Sequence, residues 1–261
     1  VLTAEYPGIN QWNHVSATYD GFFMRIYING ALAATTEASG KITTNGNNLV
    51  LGQQPGFVEY YRGKVEEARI WSRALNQCEV INNMNCELQT QQTGLVAYYK
   101  FNQGFVNAPN TTDNILNDAS PNGNNGTLSN FALDGLTSNW SDFKVNGTCS
   151  TYAEPPVTAQ ANAAVFGIGS TIRLFANGGS AYTWTGPNNF SATLPDPLIL
   201  NAQTINSGTY TVAVPFINCT IFRSVRLTVT PLPAVQANGP TVICPSSVVK
   251  LSIGTVGTAY Q

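Results

Sequence analysis

The chain has 261 residues, a formal net charge of −2 and only 10% charged residues, against about a quarter in an ordinary soluble domain. With no Lys/Arg run the electrostatic footprint of a nucleic-acid binder is missing, and no apolar run approaches the ~18 residues of a membrane-spanning helix. Hydrophobic residues at 43% and aromatics at 10% exclude a disordered chain, and the length suggests two domains or one large β domain.

Asn, Thr, Ser, Gln and Gly replace the missing charge, which suits an extracellular β protein. Residues 1–11 read as the end of a strand and a Pro7-Gly8 turn, so the first strands of the domain are expected to be missing, or the chain begins on an edge. In WNHVSATYDG, Val15, Ala17 and Tyr19 alternate with His14, Ser16 and Thr18, and Ile26 and Ile28 alternate with Arg25, Tyr27 and Asn29. Period-two alternation predicts strands with one buried face. Asp20-Gly21 and Asn29-Gly30 supply the positive φ of tight turns between them. Each antiparallel strand then needs a second sheet over its apolar face. Residues 48–53 predict a short strand, residues 57–71 lead into another with Val65, Ala68, Ile70 and Trp71 apolar, and residues 72–81 predict one or two helical turns. Residues 94–101, GLVAYYKF, are a strong strand signal, residues 102–126 a long Asn-rich loop, and Thr127–Leu133 a further short strand.

Residues 144–156 read as a Gly, Thr and Pro linker after a first domain over 1–143. Residues 157–231 then carry short strands with turns at the spacing of a β-sandwich, with Trp184 and Tyr210 as the expected core pair. At residue 232 the pattern restarts and stops at Gln261, which suggests a truncated further repeat and a segment of a longer multidomain chain. The predicted fold class is all-β. Cys78 and Cys86 lie close together and predict a local disulfide in an oxidising compartment. Cys149, Cys219 and Cys244 are dispersed, their pairing is open, and an odd count leaves at least one without an internal partner. With no CxxC pair and one histidine, a structural zinc site is not expected.

The set W-x-H-V-x-x-T-Y-D-G from Trp12, Y-I-N-G from Tyr27 and G-K-V-E-E-A-R-I-W-S-R-A-L from Gly63 resembles the laminin-G-like, concanavalin-A-like jelly roll. GLVAYYKFN at Gly94 to Asn102, followed by Asp118 to Leu128, also resembles that family. There it usually opens the domain. Here it either pairs back into the same sandwich, the favoured reading, or starts a second one. Y-T-W-T-G-P-N-N-F from Tyr182 and S-G-T-Y-T-V from Ser207 resemble the Ig-like or PKD-like repeats of very long bacterial surface proteins. In such repeats a first-strand cysteine pairs with a last-strand one. Phe166 takes the first position here, Cys219 the second, Cys149 could substitute for the absent partner, and Cys244 fits the first position of the next repeat. The combination is similar to adhesins exported by the type IX secretion system of gram-negative bacteria. It implies a secreted or cell-surface location and a non-catalytic module that binds glycan or another surface protein, with the repeats as a stalk. The alternatives are a structural, filament-forming protein or an accessory module of a secreted hydrolase.

Glu66-Glu67 is the one carboxylate pair beside an apolar strand, and strand alternation would turn the two to opposite faces, unsuited to an acid/base couple. A calcium site is expected in the loop holding Asp113, Asn117, Asp118, Asn122 and Asn124, since hard cations take carboxylate, amide and carbonyl oxygens; Asp and Asn capping their own turn is the alternative. Pentraxin-like relatives carry an acidic residue after the glycine of G-K-V, and Lys64 stands there instead. Tyr60 and Tyr61 are candidate sugar-binding aromatics, whereas Tyr99 is expected in the core. His14 reads as a strand histidine with a hydrogen-bonded partner, and no G-x-S-x-G is present.

Overall fold

A computed structural model describes residues 2–5, 7–43, 46–53, 59–89, 91–232, 235–238 and 250–253. The chain divides into two units, Val1–Glu154 with Ile217–Thr220, and Pro155–Phe216 with Ile221–Gln261.

The first unit opens with β1 (Val15–Tyr19), β2 (Phe23–Ile28) and β3 (Ala31–Glu37), an antiparallel sheet in the order β1-β2-β3. Asn29 (φ 50°) and Gly30 (φ 80°) make the two-residue β2–β3 turn with both central residues left-handed, as a type I′ turn needs. A Cβ on Gly30 would meet Ile81 Cγ1 at 2.6 Å, so the turn also needs glycine for space. In the β1–β2 turn the Asp20 carboxylate accepts from the Phe22 and Phe23 N–H groups and pairs with Arg25. Burial pushes the Asp20 carboxyl up, but the Arg25 guanidinium and those two N–H groups outweigh it and hold it below its usual range.

The register sets Val15 opposite Ile28, Ala17 opposite Ile26 and Tyr19 opposite Met24 on one face, and Ser16 opposite Tyr27 and Thr18 opposite Arg25 on the other. The second face is the buried one, with Tyr27 and Arg25 at 2% and 6% exposure. The alternation therefore predicts the strands and their register but not the covered side: Val15 is 61% exposed and Ala17 is exposed, where the sequence leads one to expect both inside. The reason is tertiary. The Val15 face lines an open groove, whereas Tyr27 and Arg25 on the other face are buried.

Next come β4 (Ala68–Trp71), α1 (Gln77–Asn83) and β5 (Leu95–Tyr99), with β4 and β5 antiparallel. Helix α1 starts at Asn76, whose side chain accepts from the Glu79 N–H as an N-cap. Strand β5 is covered on both sides. Leu95 and Tyr98 pack with Leu88 and Cys149; Ala97 and Tyr99 pack with Leu116 and Trp140. Short β6 (Ile115–Leu116) and β7 (Gly126–Thr127) pair beside it. The expected strand over Thr127–Leu133 is thus limited to the end of β7, and the segment 48–53 contributes one isolated bridge, Gln53 to Tyr60.

The cysteines depart from expectation. Cys78 bonds Cys219 and Cys86 bonds Cys149. Cys78–Cys86 fails for a geometric reason. Cys78 lies in the first turn of α1 and Cys86 past its end at Asn83, so at least five residues of helical rise, about 7.5 Å, lie between them, past the roughly 7 Å Cα limit of a disulfide. Because Cys149 bonds Cys86 and Thr148 bridges Glu87, the stretch expected as a linker from residue 144 belongs to the first unit as far as Glu154.

In the second unit β8 (Thr158–Ala161), β9 (Val165–Gly167), β10 (Ile172–Asn177), β11 (Thr183–Gly186), β12 (Phe190–Ala192), β13 (Leu198–Ile199), β14 (Gly208–Pro215) and β15 (Thr220–Thr230) form two sheets, β13-β10-β8 and β12-β11-β14-β15-β9. Strand β9 runs parallel to β15. This is an immunoglobulin-like strand order. Trp184 and Tyr210 are fully buried in its core, and the Tyr210 hydroxyl donates to the Asn206 carbonyl at 2.9 Å, the tyrosine corner of such folds. Strands β16 (Val235–Asn238) and β17 (Lys250–Ile253) pair antiparallel. Cys244 lies outside the described residues.

Candidate functional site

The first unit holds an open groove of about 1550 Å³. One wall is the apolar face of β1 and β2, with Val15, Ala17, Tyr19, Met24 and Ile26. The other is the segment from Tyr61 through β4 to Arg73. Beneath it lies a polar network drawn from distant parts of the chain. Glu67 pairs with Arg69 and accepts from the Tyr98 hydroxyl at 2.6 Å, and that hydroxyl accepts from the Leu88 N–H at 3.1 Å. Arg69 also donates to the carbonyls of Asn83 and Cys86, each at 2.5 Å, so it ties β4 to the end of α1.

Glu66 and Glu67 do not follow strand alternation. They precede β4, and Glu67 has a left-handed backbone, φ 59°. Both side chains consequently line the groove. Burial, and then the neighbouring Glu67 charge, push the Glu66 carboxyl up to about 7. His14 lines the same groove, and burial followed by the Arg69 charge lowers its imidazole to about 4. Its backbone is fixed by Asn29, whose side chain accepts from the His14 N–H and whose N–H donates to the His14 carbonyl. The ring Nδ1, one oxygen of each glutamate and the Arg69 Nε are buried without a protein partner. The hydrogen-bonded role expected for His14 is therefore met by its backbone and not by its Nδ1. Glu66-Glu67 and His14 had sequence signals of their own, and Arg69 and Tyr98 lie inside the motifs from Gly63 and Gly94, but the bonds that join Glu67, Arg69 and Tyr98 are announced by no local pattern.

The loop proposed for calcium is organised differently. Asp118 accepts four hydrogen bonds, from Tyr98 N, Ser120 N, the Ser120 hydroxyl and Asn124 N. Burial works against the charge, but these bonds together lower its carboxyl below the usual range. A carboxylate offers about four lone-pair directions, and all are taken. Asn122 turns its NH₂ to the carbonyls of Leu95 and Val96. The Asn117 N–H is held by Gln103, and Asp113 sits in a turn closed by its N–H on the Asn110 carbonyl. Among the described residues no cluster of three or more His, Cys, Asp or Glu side chains could hold a metal ion. The bonds of Asp118 and Asn122 lash the loop to β5. Asn110 is 1% exposed and accepts from the Phe105 N–H while donating to the Phe105 and Ala108 carbonyls.

Tyr60 and Tyr61 are 63% and 54% exposed. With Leu51, Gln53 and Val65 they line a shallow hollow of about 420 Å³. Tyr61 folds back over Gly63, where a Cβ would meet its hydroxyl at 2.7 Å, and that hydroxyl donates to the Lys64 carbonyl at 3.4 Å. No helix among the described residues is long and apolar enough to cross a membrane, and two disulfides suit an extracellular setting.

Human Pappalysin-1 (Homo sapiens) is 40% identical over 83 residues, 30% of this chain and 5% of that protein; the mouse (Mus musculus) protein is 39% identical over the same extent. The chain thus spans about 5% of the length of the curated relatives it matches. A solved structure, the amphioxus IgVJ-C2 molecule, aligns with TM-score 0.27 and 17% identity over 53% of this chain and 85% of that one. Residues 2–81 match the laminin G-like profile described as the concanavalin A-like lectin/glucanases superfamily.

Proposed function

We propose that the chain is a non-catalytic adhesion segment of a larger secreted or cell-surface protein, in which the first unit binds a carbohydrate through Tyr60 and Tyr61 and the second is a stalk module. The observation that carries this reading is the exposed tyrosine pair beside an apolar hollow, with Tyr61 folded back over Gly63. Sugars stack on aromatic faces that are apolar across the ring and wet at the edge. The superfamily matched over residues 2–81 is described as one of lectins and glucanases. Against catalysis stands the engagement of the glutamates: Glu67 is committed to Arg69 and Tyr98, and each glutamate keeps one oxygen buried and away from solvent.

The test is a glycan array probed with the chain and with Tyr60→Ala and Tyr61→Ala, each with and without a calcium chelator. Binding that each substitution weakens at least tenfold is expected, unchanged by chelation because Asp118 is saturated by protein donors. No binding under any condition would sink the lectin reading. A second reading, an accessory module within a much longer protein, is favoured by the match to about 5% of Pappalysin-1. The full-length reading frame decides it.

A further inference from the structure

Cys86–Cys149 is nested inside Cys78–Cys219, and the nesting sets the path that tension takes through the chain. The outer bond closes a separation of 141 residues and the inner one closes 63. A pull that enters before Cys78 and leaves after Cys219 meets a covalent shortcut whose Cα ends are 5.0 Å apart. Residues 79–218 then form a closed loop beside the line of force. That loop holds β5 to β7 and β8 to β14. Of β8 to β15, only β15 (Thr220–Thr230) stays in the path.

The ends of the shortcut suit a load. Cys78 lies in the first turn of α1, and Cys219 directly precedes β15. Their neighbours are joined as well: the Thr220 N–H donates to the Gln77 side chain at 2.9 Å, and that side chain donates to the Gly30 carbonyl at 2.8 Å. Tension unfolds a structure in proportion to the length it gains by doing so. A strand already rises about 3.2–3.4 Å per residue, against at most about 3.6 Å for a fully extended chain. Stretching the 11 residues of β15 from both ends therefore gains only roughly 2–4 Å. Almost nothing favours tearing β15 from its neighbours β14 and β9.

We infer that Cys78–Cys219 is a load-bearing clasp, which carries tension from α1 straight into β15 and leaves residues 79–218 unstretched. A dithiol opens the clasp: the S–S bond takes two electrons and two protons and becomes two thiols, while the dithiol closes to its own disulfide. Redox state thus sets how far the chain extends. The clasp holds whether or not Tyr60 and Tyr61 bind sugar, so its failure is separate from that of the carbohydrate reading.

The test is single-molecule stretching of the 261-residue chain with a handle at each end. At about 3.3–3.6 Å per residue, the oxidised chain should extend to about 42 nm, and a dithiol should add about 48 nm. The double variant Cys78→Ala, Cys219→Ala keeps the inner bond and should add about 27 nm without reductant. A control moves the first handle to Ala163, exposed between β8 and β9 and inside the loop. Pulled from there, the oxidised second unit should unfold in a step that is missing when the chain is pulled from its ends. Neither the dithiol arm nor the control depends on the double variant folding. Extension of the oxidised chain clearly past about 42 nm, no gain with the dithiol, or the same second-unit record from both handle positions would overturn the proposal.

Discussion

At the level of single residues, the groove floor sets two titrations against each other. An ordinary carboxyl near 4.5 is raised to about 7 at Glu66. Between those values the unfolded chain has lost the proton and the folded chain keeps it, so stability falls as pH rises through that window. His14 has the reverse sign. Its imidazole is lowered from 6.5 to about 4, so between those values only the unfolded chain binds the proton, and stability falls as pH drops. From pH 4.5 to 6.5 the slopes oppose, and the wild-type profile should be flat. Glu66→Gln removes one of them. The variant should gain on the order of 1 kcal/mol over wild type at pH 8, after discounting for partial exposure, and nothing at pH 4; urea unfolding at the two pH values measures this, and equal differences at both would refute it. His14 is the one histidine in the chain, so a single imidazole Cε1–H resonance reports it. That signal should titrate near 4, and a midpoint near 6.5 would show a solvated ring.

Among the elements, what was legible in the sequence follows from how local its cause is. The β2–β3 turn was readable because Asn29-Gly30 carries its own backbone requirement. Strand β5 was readable from GLVAYYKF, although both its faces turned out to be covered, with Leu95 packing beside Tyr98 and not with Ala97. The tyrosine corner was half readable: SGTY marked the core position of Tyr210, while its bond to Asn206 needed the turn to be in place. The buried side of β1 and β2 was not readable at all. Period two says that faces differ, and only tertiary partners decide which is covered. For the same reason the hydrogen bonding of the Asp118 loop was not readable. Its Asp and Asn richness was visible, but the donors that saturate Asp118 include Tyr98 N, 20 residues away. The Glu67–Arg69–Tyr98 network spans residues 67 to 98 and shows no spacing that a sequence window could catch.

Across the whole molecule the cysteines decide how far the chain is tied together. Proximity in sequence favours Cys78–Cys86, because short loops close cheaply. Cys78 lies in the first turn of α1 and Cys86 beyond its end, and each bonds a distant partner, at separations of 141 and 63 residues. Longer closed loops remove more freedom from the unfolded chain; in the chain-entropy account a loop near 63 residues contributes about 4 kcal/mol. Cys86–Cys149 lies in the Leu88, Leu95 and Tyr98 core, so reduction would loosen the packing around β5 as well. Trypsin separates the alternatives without ambiguity. Residues 74–100 form one peptide carrying both Cys78 and Cys86, residues 145–173 carry Cys149, and residues 174–223 carry Cys219. With the observed bonds, the unreduced digest should yield these three peptides as a single covalent cluster that reduction separates. With a Cys78–Cys86 bond, peptide 74–100 would instead run alone, 2 Da lighter than its reduced form on the order of two hydrogens lost, and the long-range pairing would be wrong.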